Sequence, residues 1–379
     1  MTILIDGSGT ITGATTLAST VASPTFTTPA LGTPASGILT SCTGVPFDGF
    51  KNRIINGGFQ LAQRGTSFTS GSNNDDTYNL DRWYVLSDGN DIVDITQTTT
   101  VPTNAAKNSI GLDVETVNTK FGIAQIIENV NCVDAIGGAV TLSFQAKVSA
   151  TTQLDNVKCA IVAWSGTADT VTSDIISAWG VEGTNPTLIA NATYENSPAN
   201  LNVTTSFATY SVTATVDTAS TTNIILFIWS DVTTTTLGDF LFVTNVQLEK
   251  GSTASSFDYR SIGTELALCQ RYFEKSYDQG TAPATNTTTG TFNFSGASEG
   301  NGNVIVPIQY STKRAAPTLT GYLAAGTSGS WNYERSGSAS TGSITFDRTS
   351  DRESRAYIVV GSNFVAAYVY GHWIASAEL

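Results

Sequence analysis

Charge is what this 379-residue chain has least of. Only 13% of its residues are Asp, Glu, Lys or Arg, about half the usual share. The 31 acidic residues outnumber the 18 basic ones, for a formal net charge of −13. Phosphate binding needs a basic patch, so nucleic acid is not an expected partner. Adsorption to an anionic membrane is disfavoured for the same reason. No run reaches the roughly 18 apolar residues that span a bilayer. Met1–Asp6 lacks the basic region and apolar stretch of a secretion signal, so assembly in a cytoplasm without membrane insertion is expected. Histidine occurs once, at His372, with no companion nucleophile, and reads as structural. No P-loop, dinucleotide fingerprint or HExxH is present. No catalytic residue, cofactor or metal site is expected; Asp88-Gly89-Asn90-Asp91 could supply oxygen ligands to calcium but lacks the full EF-hand pattern. The four cysteines, Cys42, Cys132, Cys159 and Cys269, are far apart and form no CxxC. A zinc site or disulfide framework is therefore not expected, and buried free thiols are.

What replaces charge is Thr, Ser, Asn and Gly. Thr suits a pleated surface and the others suit turns, which favours an all-β protein with a neutral, hydroxyl-rich exterior. Residues 1–50 differ from the rest. They hold four of the ten prolines, Pro24, Pro29, Pro34 and Pro46, at a spacing that forbids a helix. Two readings stand: a disordered tail, or an extended segment ordered by wrapping around copies of itself or a docking partner. Residues 51–260 read as one β-domain of about ten short strands. In 139–148, for example, Leu142, Phe144 and Ala146 alternate with Ser143, Gln145 and Lys147. Such period-two patterning with one apolar face predicts a two-sheet sandwich.

A short connecting helix is predicted within 261–277, from Glu265 to about Ser276, with Thr264 as N-cap. Leu266, Cys269 and Phe273 share one stripe of a broad apolar face, which must pack on the sandwich or meet copies of itself. The reading adopted is an oligomer interface. Strands then resume in 278–379, a small C-terminal β-domain. Segments 326–333 and 336–342 read as exposed Gly/Ser-rich loops. Trp331 and Tyr333 there are candidate sugar-stacking residues, and Trp179, near Gly180 and Gly183, is a third. The alternative for the first two is packing inside the small domain or across an oligomer interface. Trp83, Trp164 and Trp229 fall in strand patterns and read as core. Paired carboxylates for glycan hydrolysis could come from Asp75 and Asp76, Asp88 and Asp91, or Asp351 and Glu353, each in a polar turn where solvation is the plainer reading.

Several segments, taken together and in order, resemble fibre proteins of tailed bacteriophages. Thr28–Pro46 is similar to their linker. Asn52-Arg53-Ile54-Ile55-Asn56-Gly57-Gly58-Phe59, with Gln63-Arg64-Gly65 and Asp81-Arg82-Trp83, resembles the start of their carbohydrate-binding-like domain. Gln247–Gly251, Phe257-Asp258-Tyr259-Arg260 and Glu265–Phe273 look like its end. Lys313–Thr318 and His372–Leu379 look like the tip domain that comes after it. The resemblance implies a jelly-roll sandwich, a distal tip and a homotrimer. It also implies a virion location, with attachment to a phage tail or other virion protein through the N-terminal segment and binding of a host cell-surface glycan for adsorption. The expected function is a non-enzymatic receptor-binding tail fibre. The alternatives are a glycan-depolymerising tailspike enzyme, and a head fibre or decoration protein without a receptor role.

Overall fold

The computed structural model describes residues 50–297, 302–335, 337–361 and 367–379. The expected virion-attachment and oligomerisation segment, with Cys42, lies outside the described residues. From Gly49 onward the contacts gather the chain into one unit.

Two antiparallel sheets face each other. The first has six strands in the order β1 (Ser67–Phe68), β3 (Val93–Thr98), β4 (Ser109–Val114), β13 (Phe240–Lys250), β6 (Ala139–Val148) and β11 (Ala208–Thr215). The second has five, in the order β10 (Ala192–Tyr194), β7 (Val157–Trp164), β12 (Asn223–Ser230), β5 (Phe121–Ile127) and β2 (Tyr84–Ser87). Between them Leu142, Phe144 and Ala146 share one core with Ile123, Ile161 and Ile228. This is the sandwich that the alternation predicts.

The two outer faces differ. On the second sheet β7 and β12 are buried along their whole length, as expected of strands covered on both sides. Their outer side carries Trp164, Phe227 and Trp229. A loop containing the hairpin β8 (Ile176–Ala178) and β9 (Thr187–Leu188) contributes Val171, Ile175 and Trp179 to the cover. An ion cluster holds this loop down. Lys120 and Asp231 are fully buried and pair at 2.5 Å, Lys158 meets the other Asp231 oxygen at 2.7 Å, and Lys120 also donates to the carbonyls of Val181 and Thr184.

The helix α1 spans Ile262–Gln270, with Ser261 rather than Thr264 at its N-cap and Glu265 in its first turn. It stops early because Phe273–Lys275 becomes strand β14, paired with β21 (Ala367–Ser376). Leu266 and Cys269 pack on the outer side of the second sheet, and Cys269 is buried. Phe273 is buried too, its ring 3.8 Å below the Arg64 guanidinium. Packing on the chain's own residues, one of the two partners expected for this stripe, is thus what the fold supplies.

The third sheet runs β14, β21, β18 (Ser330–Arg335), β19 (Ser338–Asp347), β20 (Glu353–Val359) and β16 (Asn303–Gln309), and β15 (Phe292–Gly296) and β17 (Thr318–Tyr322) also pair with β21. Its core gathers Val306, Trp331, Ile358 and Val369. Residues 330–333 and 338–342, expected in loops, belong to strands β18 and β19. The C-terminus ties this sheet to the sandwich. Glu378 pairs with Arg64 at 3.0 Å and with Arg82, and Tyr78 Oη donates to the Leu379 carbonyl at 2.8 Å.

Candidate functional site

With the second sheet covered, the first sheet presents the open outer face of the sandwich. Inward packing of Leu142, Phe144 and Ala146 turns Ser143, Gln145 and Lys147 outward on β6. On β13 the register slips between Thr244 and Gln247, which pair with Gln145 and Ser143. The extra residue makes a β-bulge, a device that re-aims side chains. Asn245 sits in it at φ 49°, a left-handed conformation that Asn tolerates better than most residues.

The bulge is braced from the start of the sandwich. Asn52 Nδ2 donates to the Val246 carbonyl at 3.1 Å, and Val246 N donates to the Gly57 carbonyl at 2.9 Å. Gly57 is required by closeness, since a Cβ there would lie 2.0 Å from the Val246 oxygen. After β13 the chain turns at Gly251 and returns over the strand it has left. Ser255 N donates to Glu249 Oε1 and Asp258 N to Gln247 Oε1, both at 2.8 Å. Lys51 donates to Ser255 Oγ and the Ser256 carbonyl.

The return leaves a groove of about 330 Å³, bordered by Asn104, Gln145, Thr209, Asn245, Phe257 and Tyr259 among others. Its volume falls at the lower end of small-ligand sites. No Asp, Glu, Lys, Arg or His lines it. Tyr259 is 55% exposed and meets Phe257 edge-on with centroids 4.8 Å apart. Asn245 is 6% exposed. Its Nδ2 donates to Gln145 Oε1 (2.8 Å), Tyr259 Oη (3.2 Å) and the Ala105 carbonyl. Its Oδ1 is buried and accepts nothing. An exposed ring beside amides and hydroxyls can stack on an apolar ring face and bond the hydroxyls at its rim.

The residues expected to stack sugars lie elsewhere. Trp331 is fully buried in the third core, its Nε1 donating to the His372 carbonyl at 2.8 Å. Tyr333 is 8% exposed in the same core. The backbones of Gly321 and Gly371 make room for the indole: a Cβ at Gly371 would come within 2.5 Å of it. Trp179 is 7% exposed and meets Phe227 edge-on. None of the three offers a face to a ligand, so the packed alternative holds for the first two and Trp179 is corrected. Trp83, Trp164 and Trp229 are core residues. Of the groove residues, only Phe257 and Tyr259 belong to a recognisable sequence motif.

Asp75 accepts from Ser87 N at 2.8 Å and Asp91 from Asn73 Nδ2 at 2.9 Å. Burial, then the carboxylates of Asp75 and Asp174, push the Asp76 pKa up to about 7. No group of three or more His, Cys, Asp or Glu among the described residues is placed to hold a metal ion. No helix among them is long and apolar enough to cross a membrane. His372 is buried, stacked on Tyr277 at 3.6 Å, with Nε2 against the Thr287 carbonyl.

No protein-family model matches the chain, and no curated protein matches it. Solved structures with similarity include an enzymatically active domain of tailspike protein 4 of bacteriophage CBA120. It is 17% identical at a TM-score of 0.32, over 53% of this chain and 22% of that one. A CBM22-1 xylan-binding domain of Paenibacillus barcinonensis Xyn10C is 12% identical at 0.28, over 51% of this chain and all of that one. TmCBM61, solved with β-1,4-galactotriose, is 14% identical at 0.28, over 53% and 99%. At such scores the likeness carries no argument about function, which has to be read from this chain's own residues.

Proposed function

We propose that the chain is a glycan-binding protein of the bacteriophage fibre type, and that the groove on the first sheet holds the sugar. The observation that carries this reading is the groove lining: it is free of charge, carries Ser and Thr hydroxyls and the amides of Gln145 and Asn245, and has the 55% exposed Tyr259 ring at its wall. Such a ring stacks on the apolar face of a sugar while the amides and hydroxyls bond its hydroxyl groups. The segments that resemble fibre proteins support the rest of the proposal: a homotrimer, docked to a phage tail or other virion protein by residues 1–50, that presents several weak sites to a host surface and gains strength through multivalency.

The test is binding of the full chain to host surface polysaccharide on a glycan array. Tyr259→Ala and Gln145→Ala are expected to weaken binding about tenfold or more, the equivalent of about 1.4 kcal/mol, while thermal unfolding stays within error of the parent. Unchanged affinity in both variants places the ligand elsewhere. Native mass spectra showing only monomers count against the trimer.

One observation favours a second reading, a glycan-cleaving tailspike. Burial and the neighbouring Asp75 and Asp174 carboxylates raise Asp76 to about 7, the direction a general acid of glycan hydrolysis needs. Chain shortening of the bound polysaccharide, lost in Asp76→Asn, would establish it; intact chains after prolonged incubation would end it.

A further inference from the structure

We propose that the groove continues along the sheet into a seat for the carboxylate of an acidic sugar, with Lys147 as its counter-ion. The inference rests on the groove as the sugar site and narrows its ligands to acidic glycans. Lys147 follows Gln145 by two residues on β6, so both side chains leave the same face, about 7 Å apart along the strand. Its neighbour across the ladder is Phe242. The ammonium lies 5.0 Å from the Phe242 ring and 5.5 Å from that of Phe207. Phe240 and Phe242 stack with centroids 5.1 Å apart and planes 6° from parallel. Gly111, opposite Phe242 on β4, leaves room for the ring: a Cβ there would come within 3.3 Å of it. The groove thus opens onto an aromatic shelf with one cation set in it.

Lys147 is unlike the other half-buried or buried lysines. Lys51, Lys120, Lys158, Lys275 and Lys313 each donate to an oxygen of the protein. Lys147 has ring faces on two sides and no hydrogen bond or ion pair among the described residues. Ring faces hold an ammonium in place without using its N–H donors, which stay free for an oxygen anion. Acidic side chains of this face stand on both sides of Lys147: Asp113 opposite Phe240 with Asp94 opposite Asp113, and Glu249 opposite Thr141, where Gln247 and Ser255 donate to it. Lys147 is the cation between them, and it marks where a ligand carboxylate is held. The shelf then takes the apolar face of the sugar ring bearing the acid, and the amides of Gln145 and Asn245 take hydroxyls of its neighbour.

The experiment uses the full chain on an array of polygalacturonate, alginate, hyaluronate and polysialate, each paired with its methyl-esterified or carboxyl-reduced form. At least one acidic glycan is expected to bind about tenfold or more tighter than its neutral counterpart in about 50 mM salt, with the gap shrinking in about 500 mM. Lys147→Met keeps the apolar stem and is expected to erase the gap while leaving binding of the neutral form intact. Tyr259→Ala is expected to weaken both forms. Retention of the preference in Lys147→Met overturns the inference, as does the absence of any preference in a chain that still binds neutral glycans in a Tyr259-dependent way. No binding to any member refutes the groove as a sugar site, and the inference with it.

Discussion

Removing one carboxylate, in Glu378→Ala, is expected to destabilise the protein far more than its place next to the chain end suggests. Glu378 is 8% exposed and faces two guanidiniums, Arg64 at 3.0 Å and Arg82, which is 1% exposed. Burial lowers the Arg82 pKa, and the Glu378 carboxylate, followed by Tyr272 and Tyr78, raises it above the usual arginine value. Arg82 also donates to the Ile126 carbonyl at 2.6 Å and lies 3.6 Å over the Tyr272 ring. Neither partner can follow the guanidinium into water. Without Glu378 a buried cation is left with no counter-ion, a change that costs about 3–5 kcal/mol out of a total near 5–15. Arg64, 13% exposed, recovers hydration more easily and adds little. Urea unfolding of the full chain, followed by tryptophan fluorescence and circular dichroism, reads the loss. The double variant Arg82→Met/Glu378→Leu is expected to fall short of additivity by about 1–3 kcal/mol, because it leaves no charge stranded. A Glu378→Ala cost under about 1 kcal/mol, the value of an exposed pair, would refute the reasoning.

Backbone crowding, carboxyl burial and thiol burial give three further expected outcomes. Gly57→Ala puts a Cβ 2.0 Å from the Val246 oxygen; a loss of about 1–3 kcal/mol on thermal unfolding, with weakened glycan binding, is expected, and an unchanged melting temperature and affinity contradict it. Burial first, then nearby carboxylates, raise Asp76 to about 7 and Asp113 to about 6. Both folded pKa values lie above the unfolded ones, so their contribution to stability is full below about pH 4 and is lost as pH rises through 6 to 7. Asp76→Asn and Asp113→Asn should each flatten that part of the profile of urea midpoint against pH, and an unaltered slope counts against it. Burial pushes the Cys132 and Cys159 thiols up to about 12 and raises that of Cys269 as well. Maleimide should therefore label these three only after denaturation, and a native adduct at Cys269 is inconsistent with its packing.

Strands are legible in the sequence where alternation and burial coincide. β6, β7 and β16 begin and end where the apolar pattern does. The expected helix runs too far because Phe273 continues its apolar stripe, and the sequence alone does not show that β21 claims Phe273–Lys275. Glycine-rich flanks hide β18, yet Ser-Trp-Asn-Tyr-Glu-Arg alternates faithfully, burying Trp331 and Tyr333 and exposing Glu334. A one-residue change of parity moves every side chain to the other face, and that parity separates a core indole from a sugar platform. Gly321 and Gly371 carry a further signal, since a glycine opposite a large ring marks a ring lying across the backbone.

The groove is illegible for a different reason. Its residues come from 104–105, 143–145, 209, 245, 255–257 and 259, and they meet only because β13 carries one residue too many for its neighbour. No composition or spacing rule announces a bulge. The segments that brace it are nonetheless short sequence features. Asn52 and Gly57 fix the bulge backbone, Gln247 and Glu249 hold the return, and Phe257 and Tyr259 wall the groove. In the sequence each reads only as part of a terminal motif of the sandwich. Their shared geometry gives them a common physical task. The start of the sandwich holds the bulge and the end folds back over it, so the opening and closing segments build the site as a pair. A substitution in either is therefore expected to act on ligand affinity as well as on stability, whereas one in the third core acts on stability alone.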